Sequence, residues 1–315
     1  MTRLPLFNYP TTIAWIDDDD LFLRAATKTF GSARTIKCFN NPLECLHFFK
    51  GYQPFLSKQA FFNGCTDHES YDLNEHLPID LNTKLLSTIS LKPERHEEIS
   101  LLIVDFHMPQ MDGLSLCRQL QGLPIKKILL TGEVDHPKAV EAFNEGIIDR
   151  FIRKDSPQLI HEIQQHIKTL SQQFFNDYSR GLLSHLEVDH PLPISDPIFI
   201  SFFNHWCQEN KIREHYLIDK QGTLRLIDEH NQILYFVTHT KKTLDDFIEL
   251  YQETLTTQPY LAQISSHKQI PYFGHHKEPW QIDVAKWENY FYPASILAGG
   301  RTQYYWTVIG GLEGG

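Results

Sequence analysis

The sequence predicts a doubly wound parallel α/β sheet followed by a smaller α+β domain. Three observations predict it. Across residues 11–155, short apolar runs alternate with amphipathic helical stretches, the rhythm of a parallel sheet covered on both faces. Four of these runs stop at polar residues, Asp17-Asp18, Asp105, Thr131 and Lys154, and the C-terminal ends of such strands are where ligands bind. Past the proline-rich stretch HPLPISDP at 190–197, the pattern changes to strands separated by turn residues.

TIAWI reads as the first strand. DLFLRAATKTF follows as a helix, with Leu21, Leu23, Ala26 and Phe30 near the 3.6-residue period and Gly31 as its stop. ARTIKCF is a second strand. Asn41 caps the next helix, PLECLHFFK, with Pro42 in the first position. LLIVDF is a third strand, followed by the turn HMPQMDG and the helix LSLCRQLQ. KKILLTG and RFIRKD are the fourth and fifth strands, separated by the helix HPKAVEAFNEGI.

Residues 52–99 interrupt this rhythm. They are mixed and polar, with weak helical signal around LNTKLLSTISL, and they far exceed the usual connection of about 4–6 residues. They read as an insertion, either a surface decoration or a docking element. From Ser156 a long helix is expected. Ile160, Ile163, Ile167, Leu170, Phe174, Tyr178 and Leu182 form one apolar stripe; its first part must pack on the sheet, and its later part suits a linker helix packed on its own C-terminal domain or a coiled-coil-like dimerisation seam. The expected organisation is therefore 1–155 with the insertion at 52–99, a linker helix over 156–189, and an α+β output domain over 190–315. In that last part Asp196 and Pro197 begin the helix IFISFFNHWCQEN. Three antiparallel strands turn at 219–222 and 228–231, KKTLDDFIELYQETL is helical, and TQYYWTVIGG is a further strand.

Composition limits the function classes. The 315 residues carry 29 Lys+Arg and 39 Asp+Glu, a formal charge of −10, so nucleic acid and anionic membranes exert no strong pull. No apolar stretch reaches the roughly 18 residues of a membrane span, and MTRLPLFNYP does not resemble a signal peptide. Five cysteines without a CxxC pair fit reduced thiols in a cytoplasmic protein.

Singly, the polar strand ends carry little. Asp17–Asp20 could be a helix N-terminal acid cluster, Asp105 a turn aspartate, and Thr131 and Lys154 ordinary strand-end residues. Their joint order carries the signal: two carboxylates suited to a divalent cation, then a lone carboxylate, a hydroxyl and an ammonium group, each ending its own strand.

WIDDD, VDFHMPQMDG, LLTG and FIRKD closely resemble the receiver domain of two-component response regulators, over about residues 11–180. The resemblance implies a flavodoxin-like, five-stranded fold and a phosphoacceptor role for Asp105. It implies Mg²⁺ held by Asp17, Asp18, Asp105 and the backbone carbonyl of His107. Lys154 would pair with Asp105, and Thr131 and Phe151 would form the switch, with Gly132 leaving access for the phosphodonor. The implied partners are a sensor histidine kinase or phosphotransfer protein and a second copy of the chain, in a phosphorylation-dependent homodimer. Asp155 stands where many receivers have proline, placing another carboxylate near the site.

The output is less legible. Residues 184–315 hold 16 acidic and 10 basic side chains, a net of −6, and no Lys/Arg-rich recognition helix, which disfavours but does not remove a DNA-binding transcriptional output. No cyclase, phosphodiesterase or kinase motif is present. His275-His276 could belong to a metal cluster, though solvated or capping roles fit them better. Asp219, Asp228 and Glu229 could form a degenerate nuclease-like site. Trp280, Trp287, Tyr290, Phe291, Tyr292, Tyr304, Tyr305 and Trp306 read as core more readily than as a ligand platform. The architecture as a whole also resembles that of Legionella-type quorum-sensing response regulators. The chain is expected to be a signalling protein, without enzymatic activity beyond its own phosphotransfer and dephosphorylation.

Overall fold

The computed structural model describes residues 3–32, 34–59, 61–63, 80–81, 83–132, 135–183, 192–255, 260–274 and 279–310. They divide into two compact units. One comprises residues 9–59 and 92–178; the other comprises 1–8, 60–91 and 179–315.

The first unit is the doubly wound domain. Its strands are β1 (Thr12–Ile16), β2 (Ile36–Phe39), β3 (Ile99–Asp105), β4 (Lys126–Thr131) and β5 (Arg150–Arg153). They pair in parallel in the order β2-β1-β3-β4-β5. The helices between them are α1 (Asp20–Phe30), α2 (Pro42–Gly51), α3 (Gly113–Gln119), α4 (His136–Asn144) and α5 (Leu159–Leu183). All residues of β1 and β3 are buried, as strands covered on both faces must be. Alternate side chains divide between two cores. Ile13, Trp15, Leu101, Ile103, Ile128 and Leu130 pack with Leu23 of α1 and Ile163, Ile167 and Leu170 of α5. Ala14, Ile16, Leu102, Val104 and Leu129 pack with residues of α2, α3 and α4.

The apolar stripe of α5 is thus consumed within the chain. Ile163, Ile167, Leu170 and Phe174 are buried, whereas Ile160, which would begin a dimer seam, is 55% exposed. At Ile163, Ile167 and Leu170 the 3-4 spacing serves packing of the helix on its own sheet.

The second unit holds a six-stranded antiparallel sheet. Its central strands are β6 (Ile212–Leu217), β7 (Leu224–Asp228), β8 (Ile233–Thr240) and the long strand Gln303–Gly310, preceded by helix α6 (Pro197–Glu209). Asp196 caps α6, accepting the N–H groups of Ile198 and Phe199, with Pro197 at its start, as the sequence predicts. One edge of the sheet is the N-terminal strand Phe7–Asn8, which pairs with Tyr216 and His215.

The structure therefore draws the boundaries differently from the sequence. Residues 1–8 and 60–91 belong with 179–315, not with the parallel sheet. In the former insertion, helix Thr83–Ile89 buries Leu86 and Ile89 completely and packs against β6. The rest of the 52–99 stretch described here, 52–59 and 92–99, stays with the parallel sheet. Antiparallel pairing of a two-residue strand with a partner some 200 residues away leaves no local pattern in either segment.

Candidate functional site

The adjacency of β1, β3, β4 and β5 brings four polar strand ends to one edge. Asp17 follows β1, Asp105 ends β3, Thr131 ends β4 and Lys154 follows β5. The Lys154 Nζ donates to Asp17 Oδ2 at 2.7 Å and lies 2.8 Å from Asp105 Oδ1. Oxygens of Asp17, Asp18 and Asp105 all lie within 4.8 Å of one another. Asp17 is fully buried, Asp105 is 6% exposed and Asp18 faces solvent. The cluster is thus open on one side. Among the described residues it is the one grouping of His, Cys, Asp and Glu able to hold a metal ion.

Local rules split the four-aspartate run. Asp19 caps α1, accepting from Leu21 N at 2.8 Å and Phe22 N at 3.3 Å, and Asp20 lies in the first turn, accepting from Asn40 Nδ2 at 3.1 Å. The helix-terminus reading therefore holds for the second pair, while Asp17 and Asp18 turn to the site. Asp17 Oδ1 also accepts the Asp19 N–H at 3.0 Å, which fixes its carboxylate with one oxygen on Lys154.

The electrostatics are those of crowded carboxylates. Burial raises the Asp105 pKa above its usual 3.8; hydrogen bonding and attraction to Lys154 oppose this, and the charges of Asp17 and Asp18 add to it. For Lys154, burial favours the neutral amine, but its hydrogen bonds to Asp105 and Asp17 outweigh burial and leave the pKa above 10.5. The ammonium also lies 4.9 Å over the Phe22 ring.

The turn after β3 is held by its backbone. Gly113 N donates to Phe106 O at 2.9 Å. A Cβ on Gly113 would stand 2.2 Å from the Asp105 carbonyl oxygen and 2.9 Å from Val104 Cγ1, so only glycine lets α3 begin this close to the acceptor strand. Asp112 caps α3 through Ser115 N. In the same turn His107 Nε2 pairs with Asp135 Oδ2 at 2.5 Å.

Thr131 is fully buried and its hydroxyl has no hydrogen-bond partner among the described residues. Such an orphan is uncommon in a native fold. Phe151, half-buried on β5, meets His136 edge-on at 5.2 Å and Phe143 at 6.3 Å, both on α4. Gly132 leaves space, a Cβ there meeting only Asp135 Oδ2 at 3.7 Å.

Sequence reasoning missed Asp135 and Phe22, which reach the site by tertiary proximity and end no strand. Asp155 is corrected. Its carboxylate is taken up by the Arg153 guanidinium through contacts of 2.9 and 2.6 Å, so it adds no free charge to the cluster.

The alternative sites in the second unit also resolve. Asp219 Oδ1 accepts the N–H groups of Gln221, Gly222 and Thr223, and Asp228 Oδ1 those of His230 and Gln232. Glu229 pairs with Lys211. These acids are turn and surface residues that converge on no common point, which corrects the nuclease-like reading. Of the aromatics read as core, Trp287, Phe291, Tyr304 and Tyr305 are buried, whereas Trp280 is 69% exposed, which corrects the reading there; His275-His276 lie outside the described residues.

Comparison with known proteins agrees with this geometry. Residues 83–167 match the response regulator receiver domain. The transcriptional regulatory protein FlgR of Helicobacter pylori is 36% identical over 66 residues, 21% of this chain and 17% of FlgR. ResD of Bacillus subtilis is 29% identical over 99 residues, 29% of this chain and 40% of ResD. The chain thus spans less than half the length of these curated relatives. The solved structure of the Legionella pneumophila response regulator LqsR superposes with a TM-score of 0.77 at 26% identity, covering 98% of this chain and 89% of that one.

Proposed function

Because the chain carries a response regulator receiver domain, we propose that Asp105 is the phosphoacceptor of a two-component phosphorelay. Its donor is a phosphohistidine on a sensor histidine kinase or phosphotransfer protein. The observation that carries this reading is the Lys154 ammonium bridging Asp17 and Asp105 beside Asp18 at one strand edge. A structural ion pair needs one carboxylate; this site sets two against one ammonium, with a third beside them.

The donor set fits Mg²⁺. It offers only hard oxygen ligands, and burial, with the charges of Asp17 and Asp18 added to it, already disfavours ionised Asp105. Asp17, Asp18 and Asp105, with the backbone carbonyl of His107, would hold the ion. When bound it supplies positive charge against the carboxylates and the transferring phosphoryl oxygens.

In the transfer, a carboxylate oxygen of Asp105 attacks phosphorus as the P–N bond to the donor imidazole breaks. The imidazole nitrogen leaves with that electron pair and is protonated. Lys154, already hydrogen-bonded to Asp105, moves to a phosphoryl oxygen. The unpartnered Thr131 hydroxyl donates to another, satisfying its own deficit. Thr131 and Phe151 stand on neighbouring strands, so movement at Thr131 is read out through Phe151 and its α4 neighbours His136 and Phe143. Phosphorylation-dependent pairing of two copies would use this α4–β5 surface, since the α5 stripe is already packed.

The likeness to the response regulator LqsR over nearly the whole chain supports a signalling output built on the six-stranded unit; on our reading it acts by partner binding in the cytoplasm, in the quorum-sensing context that the architecture resembles.

The test is uptake of one phosphoryl group from acetyl phosphate, followed by intact-protein mass. Wild-type protein with Mg²⁺ should gain it, and protein with chelator should not. If Asp105→Asn gained the same mass, the assignment would be wrong.

A further inference from the structure

The second unit buries an arginine that has no counter-ion among the described residues. Arg225, the second residue of β7, is 6% exposed, and its Nε is enclosed without a hydrogen-bond partner among the described residues. No described residue forms an ion pair with it. Its register neighbours are Tyr216 on β6 and Tyr235 on β8. Tyr272 lies against Tyr235 with ring centroids 5.8 Å apart. It is 7% exposed, and its hydroxyl too is enclosed without a partner.

These two orphans share one environment. Burial pushes the Tyr272 phenol up, Asp219 and the tyrosines 235 and 292 push it further, and Arg225 pulls it back. Arg225 and Tyr272 both lie against Tyr235, the first as its register partner and the second ring to ring at 5.8 Å. Two carboxylates of this sheet and its turns are engaged with other groups. Asp219 Oδ1 accepts three N–H groups of its own turn at 2.9 Å. Glu214, diagonal to Arg225 on β6, accepts the Tyr216 hydroxyl at 2.5 Å.

Buried polar groups are nearly always hydrogen-bonded, and a buried cation is nearly always paired. A water could satisfy a donor but not the charge. Both orphans can donate, and a guanidinium fork matches the planar or tetrahedral oxygens of an anion. Ile218, Ile270 and Ile309 in the same buried cluster provide a low-dielectric setting in which such pairing is strong.

We propose that Arg225 and Tyr272 form a binding site for a small oxyanion, a phosphate or carboxylate group, on the sheet of the output unit. This ligand is separate from the phosphoryl group at Asp105 and gives that unit a chemical input of its own.

The test uses the full chain carrying Asp105→Asn, with chelator and without Mg²⁺, so that the receiver edge cannot account for binding. Inorganic phosphate and acetate are titrated separately by calorimetry, with Tm followed in parallel. At least one should bind saturably, one per chain, and raise Tm. Phosphate alone would assign a phosphoryl ligand, acetate alone a carboxylate. Arg225→Gln should abolish the effect. Tyr272→Phe keeps the ring and deletes the unsatisfied hydroxyl, so Tm without anion should hold or rise while affinity falls about tenfold. Should Arg225→Gln fail to fold, Tyr272→Phe decides alone. Saturable binding of neither anion, or unchanged affinity in Tyr272→Phe, overturns the proposal.

Discussion

Lys154 Nζ stands 2.8 Å from Asp105 Oδ1, so the residue read as the phosphoacceptor is already paired with the cation that would later hold its phosphoryl group. Lys154→Ala removes that partner from two largely buried carboxylates. Discounting for the 31% exposure of the lysine side chain, the expected cost is about 1–3 kcal/mol, measured by urea denaturation without metal. Added Mg²⁺ should recover part of it, since the ion replaces the lost charge.

Asp105 itself should be a stability liability in the metal-free protein. Its folded pKa is raised above 3.8, so the folded state binds the proton more tightly than the unfolded state. Stability contributed at this site is then lost as pH rises from 3.8 through the folded pKa. Asp105→Asn should raise Tm at pH 7 under chelator, and the gain should shrink as pH falls toward 3.8. A gain independent of pH would point to packing instead.

The aspartate run offers a clean separation. Asp19→Ala should cost about 1 kcal/mol through the lost cap of α1 and leave Mg²⁺ affinity unchanged. Asp18→Asn should do the reverse, weakening Mg²⁺ binding with little effect on stability. Calorimetric titration with Mg²⁺ alongside thermal melts separates the two.

His215 ties the N-terminal segment to the six-stranded sheet, pairing through Nε2 with the Pro5 carbonyl at 3.1 Å. Burial depresses its pKa from 6.5 to about 4, so the histidine is neutral when folded. The corresponding stability is present above 6.5 and lost as pH falls toward 4, amounting to roughly 3 kcal/mol. His215→Gln should remove this acid sensitivity from chemical denaturation measured at pH 7.5 and 4.5.

The stripe on α5 yields a test of where its energy goes. Ile167→Ala should destabilise the chain by about 2–4 kcal/mol without altering its size on a column. Ile160→Glu, at an exposed position, should change neither. A loss of dimer on Ile167→Ala with unchanged stability would return the stripe to an interface.

The sequence was informative where a property is local. A buried parallel strand needs an unbroken apolar run, so TIAWI and LLIVDF announce themselves, and the polar residue that stops each run falls at the sheet edge. Asp17, Asp105, Thr131 and Lys154 were legible for that reason. The cap at Asp196 and the turns at Asp219 and Asp228 were legible because short side chains bond their own neighbouring backbone. Asp135 beside His107 and the Phe22 ring beneath Lys154 were not, because nothing local marks a residue that merely arrives near the site.

What the sequence determined by itself is therefore the parallel sheet, its order of strand ends and the chemistry they carry. Only the tertiary structure decided that residues 1–8 and 60–91 complete the second unit, that Ile163, Ile167 and Leu170 of α5 are spent on its own sheet, that Asp155 is neutralised by Arg153, and that Arg225 is buried without an ion pair among the described residues. Each of these depends on which distant segments close on one another. Periodicity encodes which face of a segment is buried, but the partner that buries it is chosen by chain closure and packing across the whole fold.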